Sequence, residues 1–231
     1  MKNNIVFLLI IISFWSCKKE PKEKIDLEEQ IENPIANLNT IVVDEFPISD
    51  EILKKYDFSS KIGKLSSQDQ VWFKNTNSNQ VLIIELYTDY HRINTLLFYN
   101  YNIPNEVLHK INLTSFTDIA TLEEKRNHIN AFALNANEID KTFFESNNKI
   151  KLGINKELAI SIYKEPDTLI KSKNVEILEW EFYGDKYLME YPEKIKDVNN
   201  KYVAKNSFGH KIELFFIKDK LIAMHLFNEI P

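Results

Sequence analysis

The sequence predicts an α+β fold built on mostly antiparallel sheet regions with short helices, and three observations lead there. Apolar runs of strand length recur along the chain with turn residues between them. Fifteen Phe and ten Tyr stand against only four Gly, a balance that suits an aromatic-rich sheet core. Between positions 103 and 140 the apolar spacing changes from alternation to a helical period. The expected plan is a globular region over 41–231. Its halves, 41–102 and 141–231, each run from a helix into strands, and a helical connector over 103–140 joins them.

Each element has a local reason. In EFPISDEILKKY (Glu45 to Tyr56), Ser49 is placed to cap a helix, with Asp50 and Glu51 at its positive end. QVWFKN (70–75), QVLIIELYTD (80–89) and RINTLLFYN (92–100) read as three strands of a meander, the first turn being TNSN. The middle run is apolar almost throughout, as in a strand covered on both faces. After Pro104, Val107, Leu108 and Ile111 fall at helical spacing. A second helix follows, with Ile119, Leu122, Arg126 and Ile129 on one stripe. The stretch from Phe143 to Leu152 reads as strand, tight turn, strand, leading to Gly153 and a short helix over Asn155–Tyr163 that Pro166 stops. EILEWEFYG (176–184), HKIELFFI (210–217) and KLIAMHLF (220–227) are the last expected strands, the final pair forming a hairpin.

The first forty residues give an address. Lys2 precedes the apolar run Ile5 to Ile12, which is shorter than the roughly 20 residues that span a bilayer. Phe14-Trp15-Ser16-Cys17 then places the sole cysteine of 231 residues directly after a small residue. This segment resembles a bacterial lipoprotein signal ending in a lipobox. The resemblance implies that residues 1–16 are a signal peptide, that the Cys17 thiol takes a diacylglycerol by a thioether (lipidation), and that the membrane is a partner through this anchor. Lys18 after the cysteine implies the outer membrane as the place of retention. Residues 17–40 then form a lipidated, charged, Pro-containing tether with too little apolar surface to fold alone. The Asn-, Lys- and Ile-rich composition resembles that of proteins from AT-rich Bacteroidetes genomes.

A second resemblance rests on the order "strand, Leu152-Gly153, short helix, Pro166-Asp167, strands" over about Ile150 to Phe227. It is similar to the αββ unit of SmpA/OmlA-type lipoproteins and of the β-lactamase-inhibitor-like fold. In that pattern a glycine precedes the helix and a Gly-x-Pro ends it. Gly153 and Pro166 match, and Lys164 stands where the second glycine is expected. Gly153 is expected to adopt a positive φ or to approach a neighbour closely.

Chemistry is sparse in the sequence. The net charge is −5 with no basic stripe, which excludes nucleic acid as a partner. No glycine-rich phosphate loop occurs and no cofactor is implied. The five histidines (91, 109, 128, 210 and 225) show no metal-ligand spacing. His225 alternates with apolar neighbours, as a satisfied sheet histidine does. No nucleophile elbow appears, so no catalytic residue is assigned. Glu179 and Glu181 share a strand face on which paired acids could act, although a solvated face opposite Leu178, Trp180 and Phe182 accounts for them better. The candidate binding surface is the C-terminal sheet, with Glu179, Trp180, Glu181, Tyr183 and His210. Trp180 alternates with Glu179 and Tyr183, so only one of these sets can face outward. A non-catalytic binding or assembly module with an envelope protein as partner is the expected function. The alternative is an envelope hydrolase acting on a glycan or cell-wall substrate.

Overall fold

Two meanders meet along their last strands. The computed structural model describes residues 35–55, 69–86, 92–111, 121–198 and 202–229. Cys17, His91, Ile119 and most of the tether lie outside these residues. The first half runs α1 (Asp50–Lys55), β2 (Asp69–Asn75), β3 (Gln80–Leu86) and β4 (Arg92–Tyr99), after a short β1 (Thr40–Val42). The connector holds α2 (Asn105–Lys110), α3 (Leu122–Leu134) and the two-residue β5 (Asn137–Glu138). The second half holds α4 (Lys156–Tyr163), β6 (Thr168–Ser172), β7 (Val175–Tyr183), α5 (Asp185–Glu190), β8 (Val203–Lys205), β9 (Gly209–Ile217) and β10 (Lys220–Glu229).

All but β1 and β8 join one eight-stranded sheet in the order β5-β2-β3-β4-β10-β9-β7-β6. Every pairing is antiparallel except that of β5 with β2 at the edge. β10 pairs with β4, so the two expected sheet regions are one continuous sheet. The α+β class holds.

β2, β3, β4, β7, β9 and β10 fall where the apolar runs placed strands, β1, β5, β6 and β8 are additional, and both faces of the sheet are used. The rear face packs Phe73, Leu82, Leu97, Trp180, Leu214 and Met224 under Phe46, Phe144, Ile150 and α4. The front face packs Val81, Leu96, Phe98, Ile177 and Phe215 under α2 and α3. Residues of VLIIEL therefore go alternately into two cores, which is why the run looks continuous. Trp72 stacks on Phe132 of α3, ring centroids 5.2 Å apart.

Helix ends follow their sequences. Ser49 Oγ accepts from the Ile52 N–H at 3.4 Å. Thr121 and Glu124 close a reciprocal capping box at the start of α3. With few glycines, the turns bend at other residues: among the described residues, Asn79, Asn102, Lys149, Lys164, Lys173, Asn206, Lys218 and Asp219 all have positive φ. Lys218 and Asp219 (φ 48° and 60°) form the two-residue β9–β10 turn, the geometry that matches strand twist.

Three expectations need correction. Phe143–Leu152 is not a strand hairpin. Lys141–Phe144 is a 3-10 helix whose cap, Asp140, accepts from Thr142 N–H at 2.9 Å. Beyond it a loop turns at Lys149 and plugs Phe144, Ile150 and Leu152 into the rear core. Packing of these apolar side chains wins over the alternation that suggested strands. The tether ends earlier than residue 40, because Ile35 is buried with Leu188, Val198 and Val203, and β1 pairs in parallel with β8. Lastly, Trp180 is only 2% exposed. It faces the rear core, 5.3 Å from the Tyr163 ring, and its indole N–H donates to the Lys164 carbonyl at 3.0 Å. It is therefore no part of a surface.

The glycines behave differently from one another. Gly153 has φ +89°, the expected positive value, and its N–H donates to Leu221 O at 2.8 Å. Lys164, at the end of α4, has φ 69° and ψ −163°, a conformation natural to glycine, in the position where the αββ pattern expects one. Pro166 lies in the link from α4 to β6. Gly184 has an ordinary φ, yet a Cβ there would sit 1.9 Å from Ser207 O.

Candidate binding cleft and adjoining polar belt

Register builds the polar chemistry of the front face. Glu179 on β7 lies directly opposite Glu213 on β9, which lies opposite His225 on β10. Glu213 is 1% exposed and is reached from three sides. His225 Nδ1 lies 2.6 Å from Oε2, Lys110 Nζ of α2 lies 2.5 Å from Oε1, and Lys211 Nζ lies 3.2 Å from Oε1. Burial by itself would raise the Glu213 carboxyl, but the hydrogen bonds from His225 and Lys110 outweigh it and hold the group far below the usual carboxylate range. Glu179 moves the other way, raised first by burial and then by its hydrogen bond to Glu213. Lys211 also bridges to Glu179 and Glu181, each at 3.5 Å. Its ammonium is destabilised by burial, and the carboxylates around it more than restore the charge.

Next to this cluster, Glu85 (4% exposed) accepts from Gln70 Nε2 and from Asn94 Nδ2, the latter at 2.8 Å. Chemically, the belt can hold charge and share a proton between two carboxyls. Glu179 and Glu213 face each other across the β7–β9 pairing, and Glu213 helps to raise the Glu179 carboxyl.

Beyond the belt, where β7 and β9 end, lies a cleft of about 600 Å³. Tyr183 and Tyr187 form its aromatic wall, and Phe227 also lines it; Glu181, Asp197, Lys211 and His210 are its polar members. Local backbone explains the wall. The chain leaves β7 at Gly184, whose N–H donates to Phe208 O at 2.8 Å. Asp185 Oδ1 accepts from Ser207 N–H at 3.1 Å, and the Ser207 hydroxyl donates to Gly209 O at 2.8 Å. This clasp starts α5 against the 207–209 loop and sets Tyr187 6.0 Å from Tyr183. Tyr191, exposed, follows at 5.0 Å from Tyr187. The result is a ladder of three rings that runs out of the cleft.

The candidate residues thus part company. Glu181, its side chain 68% exposed, and Tyr183, 37% exposed, lie at the cleft. Glu179 belongs to the belt. His210 is 3% exposed and is the second residue of β9. It pairs across the sheet with Phe182 and stacks near it, while its Nδ1 meets Asn228 Oδ1. His225 is the satisfied sheet histidine expected of it. Reading the sequence missed Lys110, Lys211, Glu213 and Tyr187. Lys211 and Glu213, two apart in HKIELFFI, would have flagged the belt once β9 was set beside β7. Among the described residues, no cluster of His, Cys, Asp and Glu fit for a metal occurs, and no helix is long and apolar enough to cross a membrane. No family model matches the chain, and no curated protein or solved structure matches it.

Proposed function

We propose that this is a lipid-anchored cell-envelope protein, held at the outer membrane through Cys17, that acts as a non-catalytic binding module. The working surface is the cleft between the ends of β7 and β9 and the start of α5. The observation that carries this reading is the cleft itself: a concave site walled by the stacked Tyr183 and Tyr187, with Glu181 and Lys211 at its rim. Aromatic anchors beside a few polar groups are what ligand sites are made of. The charged belt is consistent with a structural role. Glu213 is occupied by Lys110, His225 and Lys211, and it ties α2 to the sheet.

Two measurements test the two parts of the proposal. Cys17→Ala should abolish incorporation of a clickable palmitate in cells, and equal labelling of variant and wild type would remove the anchor. Crosslinking in native envelopes should capture a ligand or partner that Tyr187→Ala loses while keeping the wild-type melting temperature. A second reading, an envelope hydrolase, draws on the opposed displacements of Glu179 and Glu213, which separate an acid from a base. It requires turnover of a glycan or cell-wall substrate that Glu179→Gln eliminates.

A further inference from the structure

Cross-strand rows build the front face of the second half. Glu179, Glu213 and His225 form the belt row. The next row holds Glu181, Lys211 and Phe227, and the last sets Tyr183 beside Gly209. Gly209 brings no side chain to its row, and the cleft opens there. Around it stand four aromatic rings, Tyr183, Tyr187, Phe208 and Phe227, and two carboxylates, Glu181 and Asp197.

Rings and carboxylates draw the same kind of ligand. An aromatic face is electron-rich and attracts a cation placed over it. Among the described residues, Lys211 is the cation in the lining, and three carboxylates already answer it. Glu213 lies 3.2 Å from its ammonium, and Glu179 and Glu181 lie 3.5 Å from it. Asp197 meets Lys194 only at 3.9 Å, with both side chains largely in water, so that pair is weak. The carboxylate charge continues along the ladder, where a hydrogen bond to Glu190, with Glu193 nearby, pushes the Tyr191 hydroxyl up. The lining thus holds more negative charge than Lys211 offsets. An anion would meet that excess unfavourably, and a neutral ligand would use neither it nor the ring faces.

We propose that the cleft binds an organic cation, a guanidinium or alkylammonium group lying on the tyrosine wall with Glu181 and Asp197 as its counter-ions. This inference rests on the cleft reading given above and adds the ligand class. A basic side chain of a partner protein and a free amine present the same chemistry to these residues. A planar guanidinium fits doubly, since it stacks on a ring and pairs with a carboxylate through two N–H groups.

The full chain in detergent is titrated with short neutral peptides of one frame that carry a single Arg, Lys, Leu or Glu, and with free arginine and spermidine. The amide NMR signals of Gly209 and Lys211 report on the cleft. The Arg and Lys peptides should move them, and the Leu and Glu peptides should not. Binding should weaken as salt is added. It should fall by about tenfold or more in the double variant Glu181→Gln, Asp197→Asn, whose exposed side chains leave the fold intact. Tyr187→Phe, which keeps the ring face, should bind as wild type does, and Tyr187→Ala should bind more weakly. Free arginine or spermidine binding as tightly as the peptides supports a free amine as the source, and binding of the peptides alone supports a partner protein. A double variant that binds the Arg peptide as wild type does overturns the proposal. Leu or Glu peptides that bind as the Arg peptide does overturn the cation and leave the cleft standing. No response to any probe also overturns the cation, and the crosslinking of Tyr187→Ala in native envelopes then decides the cleft separately.

Discussion

Glu85 and Glu181 stand on the same row of the same sheet face, one in each half, and their surroundings have nothing in common. Glu85, in the first meander, is buried and held by Gln70 and Asn94. Glu181, in the second, is mostly in water and touches Lys211 at 3.5 Å. The first half sits beneath α2 and α3, so even its polar front residues become internal. On the second half, the front residues beyond Ile177 and Phe215 turn from apolar to charged, and then open into a cleft. The same strand geometry thus yields a two-sided core in one half and an open, charged face in the other. What decides between them is the helical cover.

The comparison can be broken most severely from the core side. Phe73, fully buried on β2, should cost about 3–5 kcal/mol when cut to Ala, as read from urea unfolding. A loss under about 1 kcal/mol would mean that the first half is not the close-packed one. The two glutamates give the direct contrast. Glu85→Ala removes the buried acceptor of two half-buried donors and should cost about 1–3 kcal/mol, whereas Glu181→Ala should stay within about 0.5 kcal/mol. Equal melting temperatures for the two variants would erase the difference between the halves.

Acid sharpens the picture further. The Glu213 carboxyl is charged and partnered when folded and meets only water when unfolded. Its folded value is depressed below the ordinary 4.5, so its stabilisation is complete above that pH and drains away as the pH falls below it. Glu213→Gln should therefore be less stable at neutral pH, with a deficit that shrinks on acidification. Denaturation midpoints recorded across the acid range check this, and a constant deficit would contradict it. The smallest effect is a gain. Lys164→Gly relieves a glycine-like backbone at the end of α4 and should stabilise by about 1 kcal/mol. A lower melting temperature would show that Lys164 is not strained there.

Much of this architecture could be read in the chain. Alternation in QVWFKN, RINTLLFYN and EILEWEFYG gave the strands, and Gly153 gave its own backbone sign. Alternation says that Trp180 and Glu179 lie on opposite faces, but not which face is the core. That depends on α4 arriving over one side, a matter of tertiary packing. The stretch from Phe143 to Leu152 misled because its apolar residues fill a core from a loop, where no period is required. The belt was illegible because it needs the cross-strand register of Glu179, Glu213 and His225, which are far apart in sequence. The cleft was hidden for a similar reason, since Gly184 gives no sign in the sequence that it lies against Ser207.

The seam between β4 and β10 has a consequence in time. β10 is the last strand of the sheet to be made, and it is flanked on both sides, so the first meander waits with an open edge until the far end of the chain arrives. A chain passed through a narrow opening from its beginning would stay pliable until β10 had crossed, and the sheet would lock in a single late step. Lost residues at that end would leave two unjoined half-sheets, each exposing a sticky border.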